Sequence, residues 1–178
     1  MNMKRIFVLS LLAVIIISCR DGSKSINTLN PPKDFDPGSL RSDMLPLKRI
    51  SGQLLYLPVY SNVPYQIDTV MFDMSAFVAI HNTNLSSPIY LTKVLYFNKD
   101  GKIVDDFLES GNIRVNPLAT KNFYIPYEDK SGTGANFLIE WVADSLVNEP
   151  LVESVTLNVK PNNTVAVLSQ GKVIRERY

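Results

Sequence analysis

From about residue 48 onward, apolar residues recur with a period of two in short runs, and proline, glycine or asparagine clusters separate the runs. Side chains of a strand alternate between its faces, so this pattern predicts strands. Over 70–80, Phe72, Met74, Ala76, Val78 and Ile80 share one parity, while Asp73, Ser75 and His81 take the other. That predicts one long strand, apolar inward and mostly polar outward. Over 137–143, Phe137, Ile139 and Trp141 fall on one face and Leu138, Glu140 and Val142 on the other. Apolar residues on both faces predict burial on both, so this strand should be central to its sheet.

Further runs cover 54–60, 89–97, 102–108, 113–115, 121–127 and 151–159. Pro58 lacks a ladder donor, which predicts an edge position for the first. Asn98-Lys99-Asp100-Gly101 is a turn signal that makes 89–108 a hairpin. The runs 164–168 and 172–174 flank Gln170-Gly171 and read as a last hairpin. No amphipathic helix of useful length interrupts them. Regularly spaced strands with such turns predict an all-β domain over 48–178, an immunoglobulin-like antiparallel β-sandwich of about eight strands. Its only tryptophan would pack without the usual disulfide, because the chain has one cysteine.

The amino terminus has a different pattern. Lys4 and Arg5 precede an apolar run over 6–17, interrupted only by Ser10. Such a run is too short for a comfortable membrane span of about 20 residues and suits a signal peptide over 1–18. It ends Ile17-Ser18-Cys19, which resembles the bacterial lipobox, although Ile17 is bulkier than the usual occupant of its position. The resemblance implies cleavage before Cys19 and acyl chains attached to it. Several chains anchor firmly where one does not. The expected address is therefore the bacterial cell envelope, with the membrane as a partner through Cys19. Residues 19–47 are rich in Ser, Asn, Asp, Gly and Pro and are expected to form a disordered tether.

Charge narrows the partners. Removing Lys4 and Arg5 from the 18 basic residues leaves 16 against 17 acidic ones. A near-neutral domain has no basic face for nucleic acid. A single cysteine permits neither an internal disulfide nor a cysteine-based zinc site.

Candidate chemistry is sparse, and no catalytic or cofactor signature stands out. Gly132-Thr133-Gly134 with Asn136 forms a glycine-punctuated loop that could bind a ligand. A phosphate-cradling loop needs a strand before it and a helix after it. Here a strand follows, so a shaped turn is the simpler reading, with Gly134 at positive φ. His81 is the only histidine, a base for a triad or a metal ligand beside Met71 or Met74. Met74 has the opposite parity, which places it in the core. Glu140 and Glu153 each interrupt an apolar strand face. If their strands pair, two neighbouring carboxylates could do acid–base work; if not, each should be satisfied by a cation or backbone N–H. Tyrosines cluster at Tyr56, Tyr60 and Tyr65 and recur at Tyr90, Tyr96, Tyr124 and Tyr127. An exposed tyrosine patch could bind another envelope protein or a glycan.

Leu57-Pro58-Val59-Tyr60-Ser61, Ile80-His81-Asn82-Thr83, the stretch from Ser131 to Trp141, and Asn148-Glu149-Pro150-Leu151-Val152-Glu153 together resemble an uncharacterised bacterial family, domain of unknown function 3124. The resemblance runs from about Tyr56 to Ile174. Asn62 stands where that family often has a histidine. The resemblance implies a small secreted or lipid-anchored domain and supplies no activity. The expectation is a non-catalytic binding or assembly module, with a carboxylate enzyme or a His81 metal protein as alternatives.

Overall fold

A computed structural model describes residues 31–40, 50–65, 67–109, 111–161 and 163–176. The signal peptide, Cys19 and most of the expected tether lie outside the described residues. Twelve strands are present among the described residues: β1 Ser51–Val59, β2 Asn62–Tyr65, β3 Ile67–Asp73, β4 Ser75–His81, β5 Ile89–Phe97, β6 Ile103–Asp106, β7 Ile113–Val115, β8 Thr120–Ile125, β9 Ala135–Ala143, β10 Leu151–Lys160, β11 Asn163–Gln170 and β12 Lys172–Glu176. Every pairing between them is antiparallel. A six-stranded sheet runs β12-β1-β9-β5-β6, with β7 also on β5; a four-stranded sheet runs β11-β10-β4-β8; β2 and β3 form a separate ribbon. The fold is the expected all-β sandwich.

One apolar core fills the space between the two larger sheets. Leu57, Phe137, Ile139 and Trp141 contribute from one side and Val78, Ile80, Phe123, Ile125 and Val152 from the other. β9 is central, as its two apolar faces predict. The indole N–H of Trp141 is met by Gln53 Oε1 at 3.3 Å on the adjacent strand, so burying the ring strands no donor.

Four expectations are corrected. The run 70–80 is two strands, because the chain changes partners at Met74, whose N–H bonds to Ser61 O. β3 then belongs to the β2 ribbon and β4 to the four-stranded sheet. Pro58 is not on an edge strand, since β1 lies between β12 and β9. The β12 ladder covers only Gln53 to Tyr56, so at Pro58 one side of β1 has no partner to miss the donor. β11 and β12 are not a hairpin, because Gly171 is a corner where the chain crosses between sheets. A Cβ there would lie 3.2 Å from Val152 Cβ and 3.3 Å from Leu55 Cδ2, so only glycine fits without displacing both.

The fourth correction concerns the tether. Lys33 forms a two-bond antiparallel bridge with Ile103, and Phe35 meets Phe97 edge-on at 5.2 Å. Phe35 is a rare apolar residue in that polar stretch, and it packs on Leu54, Leu95, Phe97 and Leu138. These residues form a second apolar cluster on the outer face of the six-stranded sheet.

Candidate functional site

The two outer faces of the sandwich hold most of the sequence-derived candidates, and they keep the two glutamates apart. Glu140 is on β9, facing away from the core of the six-stranded sheet, and is completely buried. Thr92 Oγ1 donates to its Oε2 at 2.7 Å. Glu153 is on β10, facing outward from the four-stranded sheet. Their strands belong to different sheets and their carboxylates point to opposite sides of the molecule. A shared acid–base pair is therefore ruled out by topology.

Glu153 instead meets His81. β4 and β10 pair Leu151 with His81 and Ala79 with Glu153, which brings the glutamate diagonally across to the imidazole. Glu153 Oε1 lies 3.5 Å from His81 Nε2, and Thr120 Oγ1 on β8 lies 2.8 Å from His81 Nδ1. Both side chains are about a third exposed, at 35%. A hydroxyl, an imidazole and a carboxylate in line are the groups of an activated nucleophile. What the line offers is a set of donors and acceptors on a flat, accessible sheet. Met74 is buried in the interior, away from His81, and Met71 is exposed on the β2–β3 ribbon. Among the described residues no cluster of three His, Cys, Asp or Glu side chains could hold a metal ion.

Beside this polar line the same face has an apolar row. Leu168 on β11 is opposite Val155 on β10, Val155 is opposite Phe77 on β4, and Phe77 is opposite Tyr124 on β8. The row therefore crosses the whole sheet. Leu168 is 74% exposed, Phe77 40% and Tyr124 39%. Leu151 adds a further exposed apolar side chain at the end near His81. Parity within each strand predicts which residues face outward, but the row exists only because four strands align in register.

The glycine loop is tied into the fold. Gly132 and Gly134 have φ of 98° and 91°, in the left-handed region where a side chain is strained. Thr133 Oγ1 donates to Asn62 O at 2.8 Å, and Lys99 N–H donates to Ser131 O. Asp129 organises the loop from inside. It accepts from Ser131 N and Ser131 Oγ, and from the buried Tyr96 hydroxyl at 2.8 Å. Burial first, then the Asp129 charge, pushes the Tyr96 phenol far above its ordinary range. Asn136 lies within β9, opposite Pro58 and Phe97.

A second polar knot at the other end of the sandwich was not legible as such in the sequence. The buried Asn82 amide donates to Ser87 O, Val115 O and Asn116 O and accepts from Asn84. Asn84 exchanges bonds with the backbone of Asn148, and Thr83 Oγ1 donates to Glu149 O. This knot fixes the strand end that carries His81 and leads into the strand that carries Glu153.

No curated protein matches the chain. Among solved structures, the crystal structure of Thermotoga maritima 1070 is similar at 11% identity over 67% of this chain and 92% of the other, with a TM-score of 0.40. The family model described as Protein of unknown function (DUF3124) matches residues 52–174. That span begins within β1 and ends within β12, and it contains both polar knots and the His81 face, so the chain belongs to this family of unknown function.

Proposed function

We propose that this protein is a lipid-anchored component of the bacterial envelope, held by acyl chains on Cys19. In this reading its sandwich domain is a non-catalytic binding or assembly module. The observation that carries the binding role is the row Leu168–Val155–Phe77–Tyr124, exposed at Leu168, Phe77 and Tyr124 and half-buried at Val155, bordered by Glu153, His81 and Thr120. A partly apolar surface with polar groups at its margin suits another envelope protein or a glycan. The export-type amino terminus and Cys19 support the address.

Pull-down and cross-linking of the tagged full chain from its own envelope test the binding role. The partner captured by the wild type should be lost from Phe77→Ser/Tyr124→Ser while the variant still unfolds in one cooperative transition. Equal capture by both proteins would refute this face as the contact surface. Intact-mass measurement tests the anchor: mature protein should begin at an acylated Cys19, and a free Cys19 thiol in it would refute the anchor.

A further inference from the structure

The lateral edges of the two larger sheets are not alike. β12 carries Lys172, Arg175 and Glu176. β6 and β7 are four and three residues long, and β6 is capped by the Lys33 bridge. β8 contains Lys121 and runs into Pro126. Charge, shortness, proline and a covering segment are the usual means by which an edge is kept from pairing with another chain. β11 has none of them. It spans eight residues without a charge or a proline, and its ladder to β10 runs through eight successive pairs without a bulge. Among the described residues, no strand pairs with its outer side.

We propose that β11 pairs antiparallel with β11 of a second copy of this chain, across a two-fold axis at Ala166 perpendicular to the sheet. The four-stranded sheets of two copies then form one eight-stranded sheet. Charge bears on the occupant: β11 has no charged group, so its own copy meets it without a like-charge contact in any register, and a charged partner strand would find no counter-charge there. The pairing is also self-complementary. Ala166 faces itself, Val165 faces Val167 on the side toward the core, and Thr164 faces Leu168 on the open side. The largely exposed Leu168 gains cover from its neighbours across the axis. A two-fold contact of this kind closes on itself, and the guarded remaining edges give it no route to longer assemblies. The open faces of the two copies become one continuous surface. This pairing uses the edge and is independent of what the face binds.

Sedimentation of the full chain in detergent tests it. The wild type should sediment as a dimer. Ala166→Lys and Ala166→Glu should each sediment as a monomer, because like charges would meet at the axis, and an equimolar mixture of the two should recover the dimer. Ala166 is exposed, so both variants should match the wild-type unfolding midpoint at protein concentrations low enough to dissociate the dimer. In a Cys19→Ser background, Ala166→Cys should form an intermolecular disulfide on mild oxidation, since paired Cα atoms about 4.5–5.5 Å apart suit that bond. Thr164→Cys should not, because its copies would be separated by about 13 Å along the strands. A monomeric wild type, or a dimer that survives both charged substitutions, would overturn the proposal. A dimer that persists in Phe77→Ser/Tyr124→Ser after loss of the pull-down partner would separate the two surfaces and support it.

Discussion

The two outer faces of the sandwich begin from similar strand patterns and end in opposite states. On the six-stranded sheet, Leu54, Leu95, Phe97 and Leu138 are buried, Phe35 packs against them and Glu140 is sealed. On the four-stranded sheet, Phe77, Tyr124, Leu151 and Leu168 are exposed and Glu153 is accessible beside His81. Outward apolar residues on a strand therefore do not by themselves mark a binding surface. They belong to the core where another segment returns to cover them and are available where none does. A glutamate among them follows its face, sealed in one case and open in the other.

The sharpest test of this contrast is a matched pair of leucines. Leu138→Ala should destabilise the domain by about 2–5 kcal/mol, the range for a buried leucine cut to alanine. Leu168→Ala should change stability by no more than about 0.5 kcal/mol, as for an exposed position. Denaturant unfolding at low protein concentration compares them directly, and equal losses would break the distinction between the faces.

The next effect concerns how β9 supplies both faces. Gly134 turns the chain so that Phe137 enters the core while Leu138 and Glu140 face the covered side. Gly134→Val should lower stability by about 1–3 kcal/mol through backbone strain. A Cβ there meets nothing within 4 Å, so the loss would come from φ and not from a clash. An unchanged midpoint would make the loop a place for ligand binding instead of a structural turn.

A smaller effect tests the cover itself. Phe35→Ala should lose at least about 0.5–1.5 kcal/mol, the worth of an aromatic pair beyond the area it buries. It should also make 31–40 a faster site of limited proteolysis. Unaltered cleavage would show that the Lys33 bridge alone holds the segment.

The last effect is a dependence on pH whose slope is zero near neutrality. The Tyr96 phenol has a raised pKa in the folded state, so its contribution is fully present below the unfolded tyrosine value of about 10 and is lost as pH rises beyond it. Stability should fall above about pH 10, and Tyr96→Phe should flatten that fall. Tyr96 lies in the shared core, so the slope should be the same in Leu168→Ala as in the wild type. A Tyr96→Phe profile as steep as the wild type would assign the alkaline loss to other groups.

Much of the local structure was determined by the sequence, because alternation in a strand depends only on neighbouring residues. It placed Phe137, Ile139 and Trp141 on one side of β9 and Leu138 and Glu140 on the other, and both faces being apolar made that strand central. Turn chemistry at Asn98 to Gly101 was equally local: Asn98 Oδ1 accepts from Asp100 N and Lys102 N, and Gly101 takes a φ of 74°. Sheet membership was decided only by the tertiary structure. An alternating strand can join any partner of suitable register, so nothing within 70–80 foretold the change of sheet at Met74, and nothing around Gly171 distinguished a corner from a hairpin. Likewise, Glu140 and Glu153 look alike in sequence. Their separation to opposite faces, and the meeting of Glu153 with His81 and Thr120, follow from backbone pairing between segments tens of residues apart, which no local pattern encodes.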